Sequence, residues 1–569
     1  MSGGTFEFGG TLDFAKVHFD NTTVLQLNAA ASISRNAPLN IGGLYLNGHA
    51  LSLETATTDL SINSAFVFNQ PGSQLITNTA DLILSYPLQL NSGSLTSTGG
   101  SLTLIQGGTL GNGATLAVPG TTLELANTLA AEAGSLQTDA ATVLTLLDNI
   151  TISFNGKKVF KSLEYNNWTL TLGTGETHLE LVAPLMLNAV ALHTQDGSLS
   201  LQGELTLAEG ALLDSTSGTL TLEGTVDNLS KLALPSTTLT LQDDLEVFGT
   251  ITTGAGTDLQ NNGFVLDLSG GTLELGGDLS LSGTVTDNAT RLRLLTDAAL
   301  ESQETTNLGE LNLNGFALTV SIPTLNIFEP LALETAGEQL VAGSSNLHLR
   351  ETLRIESGEL SSSGGTVTLD TSASLGDSGV LDLQGSVLEL SGSLNVDNGT
   401  LNAVTATVRL LDNTTFSSNN ALSLGTLEMS GNALSLGSSS TDLNIENSLS
   451  LDNGTALNTG AADLTLVAPA NVRGALQSSG GTLTFREGGA IAGVLNADNS
   501  SLALTTENLT VTGLLQTNGG TTLTGADFLN LSGGTLEVAG GLTLDGVTTD
   551  KQTTLRLSAD TTLLRNSPF

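Results

Sequence analysis

The 569-residue chain contains no cysteine, so it has neither a disulfide framework nor thiol chemistry. Aromatic residues make up only 4% of it, with a single tryptophan, and charged residues only 13%. No apolar run approaches the roughly 18 residues that a transmembrane helix needs, and the N-terminus lacks the basic and apolar regions of a signal peptide. These absences argue against a disulfide-stapled domain and against insertion of this segment into a membrane.

Positive charge is scarce as well. The chain has 16 basic against 56 acidic residues, a net charge of −40, which makes nucleic acid and anionic membranes poor partners. The acids are scattered singly, as at Glu274, Asp382 and Glu389, which is typical of a solvated surface. Calcium binding is the alternative, but neither a recurrent GGxGxD nonapeptide nor an EF-hand loop is present. We expect no metal and no cofactor.

The chain repeats itself over a long period. SGGTFEFGG at Ser2 returns as SGGTLELGG at Ser269 and as SGGTLEVAGG at Ser532. The sequence therefore consists of blocks 2–268 and 269–531 and a partial block 532–569. Folded arrays carry atypical polar caps, and neither end resembles one. We interpret the chain as an excerpt of a longer array, in which function belongs to the array and not to one site.

Short apolar–polar–apolar triplets indicate the fold. They recur at intervals of 7 and 6 residues, as at Leu266, Leu273 and Leu279, with Gly, Asn, Asp and Ser between them. Period 2 is the signature of a strand, and these intervening residues form turns. The pattern predicts an all-β fold: a parallel β-helix, or β-solenoid, with about three short strands per coil.

We expect one continuous, elongated rod over residues 1–569, with coils of roughly 22–25 residues and almost no helix. The handedness preference of parallel crossovers favours a right-handed helix, and a left-handed hexapeptide helix is a weaker alternative. Outward Thr, Ser and Asn should form polar ladders. The predicted inward residues of one set are Leu266, Leu268, Leu273, Leu275, Leu279 and Leu281.

Each of the two long blocks consists of two diverged copies of a shorter repeat. LYLNGHALSL at Leu44 recurs as LEYNNWTLTL at Leu163, LNLNGFALTV at Leu311 and LEMSGNALSL at Leu427. Runs such as LTLLDN, ending at Asn149, and VRLLDN, ending at Asn413, precede the motif by 17 to 19 residues. Successive duplication of a solenoid segment explains this pattern.

The turn–strand unit GGTLxL also carries a family resemblance. It occurs at Gly270–Leu275, Gly364–Leu369 and Gly480–Phe485, among Asn-, Ser-, Thr- and Gly-rich corners. In this style the chain resembles the repeat regions of bacterial surface adhesins of the filamentous-haemagglutinin and autotransporter-passenger type, and of giant repetitive surface proteins. The resemblance implies a right-handed β-helix stalk, export through an outer-membrane pore, and a role in attachment or as an extracellular fibre.

Catalytic constellations were sought because β-helices also include polysaccharide-degrading enzymes and phage tailspikes. The adjacent acids Asp243 and Asp244 should point to opposite faces of a strand, so they form a poor glycosidase dyad. The histidines have no metal-ligand spacing. We therefore predict no enzyme and no catalytic or metal-binding residue. The histidines are His18, His49, His178, His193 and His348.

One segment, 154–168, departs from the pattern. It holds half of the lysines of the chain beside a tyrosine and the only tryptophan. Rings next to cations could stack on a sugar or hold an acidic partner, and the other interpretation is drift at exposed positions with Trp168 filling a corner. The candidate contact residues are Lys157, Lys158, Lys161, Tyr165 and Trp168.

These observations favour a structural stalk or fibre segment of a large repetitive extracellular surface protein, serving adhesion or coat formation. The alternative is a polysaccharide-degrading β-helix enzyme or a tailspike-like protein. Expected partners are further copies of the repeat array, in cis or end to end, and surface glycans. The cell-surface location is implied by the resemblance alone.

Overall fold

A computed structural model of the chain describes residues 3–14, 16–64, 66–228 and 230–565. These residues form strands and turns throughout, and their only helical element is a single 3-10 turn at Ala526–Phe528. Strand contacts divide the chain into two units, Met1–Val285 and Thr286–Phe569.

The strands of the first unit are β1 Thr5–Asp13, β2 Val24–Ser34, β3 Leu39–Ile41, β4 Gly43–Tyr45, β5 Ala50–Leu53, β6 Leu60–Ile62, β7 Phe66–Phe68, β8 Gln74–Asn78, β9 Leu82–Leu84, β10 Leu88–Leu90, β11 Gly93–Ser97, β12 Ser101–Leu104, β13 Gly108–Leu110, β14 Ala114–Ala117, β15 Thr122–Leu125, β16 Leu129–Ala131, β17 Ser135–Gln137, β18 Val143–Leu146, β19 Ile150–Phe154, β20 Gly156–Phe160, β21 Ser162–Glu164, β22 Leu170–Leu172, β23 Thr177–Leu181, β24 Leu185–Leu187, β25 Ala191–His193, β26 Ser198–Leu201, β27 Leu205–Leu207, β28 Leu212–Asp214, β29 Thr219–Leu222, β30 Val226–Asn228, β31 Lys231–Leu234, β32 Thr238–Leu241, β33 Leu245–Val247, β34 Thr250–Thr253, β35 Asp258–Gln260, β36 Leu266–Asp267, β37 Thr272–Leu275, β38 Leu279–Ser280 and β39 Thr284–Val285.

The strands of the second unit are β40 Arg291–Leu294, β41 Ala298–Glu301, β42 Thr306–Leu308, β43 Glu310–Asn312, β44 Ala317–Ser321, β45 Thr324–Ile327, β46 Leu331–Leu333, β47 Gln339–Gly343, β48 Asn346–Leu349, β49 Leu353–Ile355, β50 Glu359–Ser362, β51 Thr366–Leu369, β52 Ala373–Leu375, β53 Val380–Asp382, β54 Val387–Leu390, β55 Leu394–Val396, β56 Thr400–Leu410, β57 Thr414–Ser418, β58 Leu422–Glu428, β59 Ala433–Leu436, β60 Leu443–Leu451, β61 Ala456–Gly460, β62 Leu464–Leu466, β63 Ala470–Val472, β64 Ala475–Ser478, β65 Thr482–Phe485, β66 Gly489–Ile491, β67 Val494–Ala497, β68 Ser501–Leu504, β69 Leu509–Val511, β70 Leu514–Thr517, β71 Thr522–Thr524, β72 Leu529–Asn530, β73 Thr535–Val538, β74 Gly541–Thr543, β75 Thr554–Leu557 and β76 Thr562–Leu564.

Parallel pairing between successive coils confirms the β-solenoid. In the first unit β3, β6, β9, β12 and β15 pair in that order, so that every third strand is a neighbour. Paired residues lie 18 to 24 positions apart: Leu266 pairs with Thr284, and Leu51 with Leu75. The coils are therefore shorter than the expected 22–25 residues, and the chain forms about 28 of them. The corners are tighter than predicted because glycine and asparagine with positive φ turn the chain within a few residues.

Leucine fills the interior as the triplets predicted. All six leucines expected to point inward between 266 and 281 are buried, at 0 to 4% exposure. The pairing places like residues over one another, as in Leu102 on Leu123 and Leu123 on Leu144. Stacking on successive coils removes both faces of each side chain from water, which supplies most of the stabilisation.

Threonine and serine are not all outward, which corrects one expectation. Thr142, Thr177 and Thr237 are fully buried at corners, where their hydroxyls donate to carbonyls of the preceding coil. The bond from Thr142 to the Val118 carbonyl measures 2.9 Å. A buried hydroxyl is tolerated when it is hydrogen-bonded, and here it also satisfies a corner carbonyl outside the strand ladder.

Aspartate completes some of these corners. Asp139 Oδ1 accepts the amides of Gly120 and Ala141, at 2.9 and 3.0 Å, and lies 2.8 Å from the hydroxyl of Thr142, whose one proton is shared between it and the Val118 carbonyl. Burial opposes ionisation of Asp139, but these hydrogen bonds outweigh it and lower the pKa of the carboxyl. The same Asp-x-x-Thr corner recurs at 20–23, 287–290 and 550–553.

The first coil differs from its two copies in aromatic content. Phe6, Phe8, Phe14 and Phe19 pack together, with ring centroids 5.0 to 6.2 Å apart. The residues that replace them in the second block are Leu273, Leu275, Leu281 and Thr286. Phe8 and Phe14 are buried in the core of this coil, where the second block has Leu275 and Leu281. The sequence analysis considered only polar caps at the chain ends and did not predict this cluster of phenylalanines.

Candidate functional site

The unusual segment 154–168 lies where two sheets of the first unit are interrupted. One sheet ends at β17 and another begins at β20; a second ends at β21, and β24 begins the next. Only the sheet containing β16, β19, β22 and β25 continues past both breaks. Within the described strands, two successive coil-to-coil interfaces therefore each lack one of three strand pairings. We call residues 156–187 the joint.

An ion pair with a buried carboxylate lies at the start of the joint. Lys157 on β20 binds the carboxylate of Glu180 on β23, whose side chain is only 5% exposed. Gln202 on the next coil donates to the other oxygen of Glu180, at 3.1 Å. The carboxylate is thus held from both sides, which compensates for its removal from water.

His178 lies directly beside Lys157. The two residues pair in register between β20 and β23, and Ser198 pairs with His178 from the other side. Burial lowers the pKa of His178, the charge of Lys157 lowers it further, and Glu180 opposes both effects. These surroundings favour the neutral imidazole.

The other two lysines face different surroundings. Lys158 pairs with the fully buried Leu179, so it occupies the inward-facing row of its strand, and it is half-buried. Lys161 is exposed at the bend between β20 and β21. Its amide donates to the Thr142 carbonyl at 2.6 Å, and its carbonyl accepts from Ala183 at 2.7 Å. Lys161 thus bridges the coils through its backbone.

Tyr165 and Trp168 form the turn that leaves the joint. The Trp168 amide donates to the Tyr165 carbonyl at 2.6 Å, and Trp168 is 38% exposed. Asn166 and Asn167 between them have φ of 45° and 69°, a left-handed conformation that asparagine tolerates. Lys161 and Tyr165 lie at opposite ends of β21, about 13 Å apart along an extended chain. The contact role of these five residues stays a prediction.

Side chains tie this turn to the preceding coil in both directions. Asn166 Nδ2 donates to the Leu146 carbonyl at 3.2 Å, and the amide of Thr169 donates to Asn149 Oδ1 at 2.7 Å. We call this two-way arrangement the clasp. It satisfies backbone groups at the corner between two strand pairs, β18 with β21 and β19 with β22.

The clasp recurs and explains the half-block repeat. The side-chain donors and carbonyl acceptors of the other copies are Asn47 with Leu27, Asn262 with Leu241, Asn314 with Leu294 and Asn432 with Leu410, at 2.9 to 3.1 Å. The return bonds run from Val265 to Asp244, from Ala317 to Asp297 and from Ala433 to Asn413, at 2.8 to 2.9 Å. The repeated Leu-Asp-Asn run thus supplies the acceptor of the return bond, and the Asn-Gly turn supplies the side-chain donor of the same clasp. Trp168 occupies a corner position held elsewhere by His49, Phe264 and Phe316.

Asp243 and Asp244, the acidic pair considered for glycosidase chemistry, contribute to one copy of the clasp. Asp243 accepts the amide of Asp244 at 2.9 Å, and Asp244 accepts the amide of Val265. Both acids lie exposed at the corner between β32 and β33, and not within a strand.

Two other histidines pair with aspartates one coil further on. His193 contacts Asp214 at 3.2 Å, and His348 contacts Asp370 at 2.9 Å. Arg350 also binds Asp370, at 3.0 Å. Burial opposes ionisation of Asp370, but the bonds from His348 and Arg350 lower its pKa. These contacts link neighbouring coils.

The sequence reasoning missed His178, Glu180 and Gln202. The signal was the coil length: Lys157, His178 and Ser198 are 21 and 20 residues apart, so the correct period places them side by side. In the described part of the chain, no group of three or more His, Asp or Glu side chains is arranged to hold a metal ion. Over the same residues, no helix is long and apolar enough to cross a membrane.

Comparison with protein families, with curated proteins and with solved structures finds no match. The resemblance to adhesin repeats therefore rests on the style of the sequence alone.

Proposed function

We propose that this chain is a structural segment, a stalk or fibre, of a large repetitive extracellular surface protein that serves adhesion or coat formation. The observation that carries the proposal is the recurrence of the clasp. At five corners, four of them in the half-block copies, an asparagine side chain binds one coil to the preceding one. Residues repeated for this purpose support length and cohesion, not one reaction.

The direction of the hydrogen bonds supports the same role. In a parallel solenoid the backbone bonds of each coil run to its neighbours, along the stacking direction. The clasps, the Asp-x-x-Thr corners and ion pairs such as the one between Lys157 and Glu180 add side-chain bonds in that direction. A stalk requires such axial cohesion. The charge of −40 disfavours lateral clumping and leaves end-to-end association with further copies as the expected contact.

The proposal is tested by adding a second copy of block 269–531 to the chain. That block spans about 12 to 13 coils at roughly 21 residues each, so electron microscopy should show particles longer by about 60 Å. Unchanged length would contradict a stalk. Surface labelling of the source cells with an antibody tests the location, and an exclusively internal signal would refute it.

The rival function, polysaccharide cleavage, is tested by incubation with a panel of acidic and neutral polysaccharides. Reproducible cleavage that is lost on heat denaturation would favour the rival over the stalk.

A further inference from the structure

The joint has fewer backbone bonds than the coils that follow it. From β23 onward, β26, β29 and β32 continue one sheet, β27, β30 and β33 a second, and β28, β31 and β34 a third. At the joint, β17 and β20 are not paired, and neither are β21 and β24, among the described strands. Local opening is favoured where the fewest hydrogen bonds and packed contacts must break.

The remaining sheet also shifts its register there. Residues 152–154 of β19 pair with β16, whereas residues 150–152 pair with β22. The pairing therefore moves by two residues along β19, beside the sheet that ends at β17.

Side chains reinforce the edge strand β20, which among the described strands pairs with β23 but not with β17. The ion pair between Lys157 and Glu180, with Gln202 behind it, joins three successive coils from β20 to the residue after β26. Because the carboxylate is buried, loss of Lys157 leaves an uncompensated charge. The stability of the joint thus depends on the charge state of this cluster.

His178 is the member of the cluster that titrates near neutral pH. The charged residues on the elements around it are Lys157 and Lys158 on β20, Glu176 and Glu180 on its own turn and strand, and Asp196 on the turn before β26. Lys157 is its direct neighbour, so an imidazolium there would place two positive charges in register on adjacent strands.

We propose that the joint is a place where the first unit opens, by separation of the edge strand β20 from β23, and that acidification promotes the opening by charging His178 beside Lys157. The sign follows from linkage. The closed joint holds a His178 pKa below 6.5, whereas an opened joint restores the ordinary value. As pH falls through 6.5 the opened state takes up a proton that the closed state does not, so stability is lost; above 6.5 it is unaffected.

The single tryptophan makes the test specific. Trp168 lies on the turn that leaves the joint, so its emission and its quenching by acrylamide report opening there. We expect increased quenching as the pH falls from 7.5 to 5.0, while far-UV circular dichroism stays nearly constant. His178→Gln should abolish this change. The matched control His193→Gln, in a continuous sheet, should retain it.

Hydrogen exchange of the unmodified chain provides a second, variant-independent measurement. At pH 7.5 the amides of residues 156–187 should exchange about tenfold faster than those of residues 198–241, a difference of about 1.4 kcal/mol. At pH 5.0, after correction for the intrinsic rate, the ratio should increase. Equal exchange in the two segments, or a pH response that persists in His178→Gln, would overturn the proposal.

Discussion

The joint and the coils that follow it are built from the same kinds of residue, but their strands are paired differently. From residue 198 to 241 three sheets continue without a break, and leucines such as Leu199, Leu220 and Leu239 stack directly on one another. At residues 156–187 two sheets are interrupted, and the edge strand β20 is held to β23 by strand pairing and by the ion pair between Lys157 and Glu180. Apolar stacking stabilises both regions, and the joint adds an ion pair with a buried carboxylate.

The largest effect is expected from a charge placed in the regular stack. Leu275 is fully buried, and Leu275→Asp would put an unpaired carboxylate into the core. We expect a loss of about 5 kcal/mol or failure of the surrounding coils to fold. Urea unfolding followed by circular dichroism measures it. Thr272→Asp, on the outward side of the same strand, is the control and should change stability by less than about 1 kcal/mol. Comparable losses in the two variants would contradict the assigned orientation.

An intermediate effect is expected at the joint. Lys157→Met leaves Glu180 buried without its cation, and we expect a loss of about 3 kcal/mol, read from urea unfolding by Trp168 fluorescence. The double variant Lys157→Met with Glu180→Met should recover most of it.

A matched pair of charges lies in the continuous coils. Lys231 binds Glu274 at 3.1 Å, but this carboxylate is more exposed and also accepts from Thr252. Lys231→Met should therefore cost less than about 1 kcal/mol. If the two lysine variants lose equal stability, the joint has no special dependence on its ion pair.

The smallest effect is expected from the clasp. Asn166→Gly keeps the left-handed backbone accessible and removes only the bond to the Leu146 carbonyl, at an expected loss of about 1 kcal/mol. Asn314→Gly should show a similar loss in the second unit. Thermal unfolding of both variants measures this, and a neutral result in each would show that the clasp adds no stability.

The fold was readable from the sequence because its information is local. Alternating triplets such as that at Leu273 specify which side chains face inward, and the glycines and asparagines between them specify turns. Coil length was harder to predict from the sequence, because a set of three triplets does not reveal how many corner residues separate it from the next set.

The candidate site was recognised only in part for that reason. Lys157 and Trp168 stood out by composition, but Glu180 and Gln202 are 23 and 45 residues beyond Lys157 and look ordinary in the sequence. An error of a few residues in the period moves each side chain along the strand, so the neighbour of Lys157 could not be named.

The sequence by itself determined the parallel solenoid, its leucine core and its repeated blocks, because period and composition act over a few residues. Only the tertiary structure decided where sheets stop, which lysine receives a buried partner, and why Asn149 and Asn166 recur together. Those features depend on contacts between coils, and the register that creates the contacts is set by the cumulative length of every corner before them.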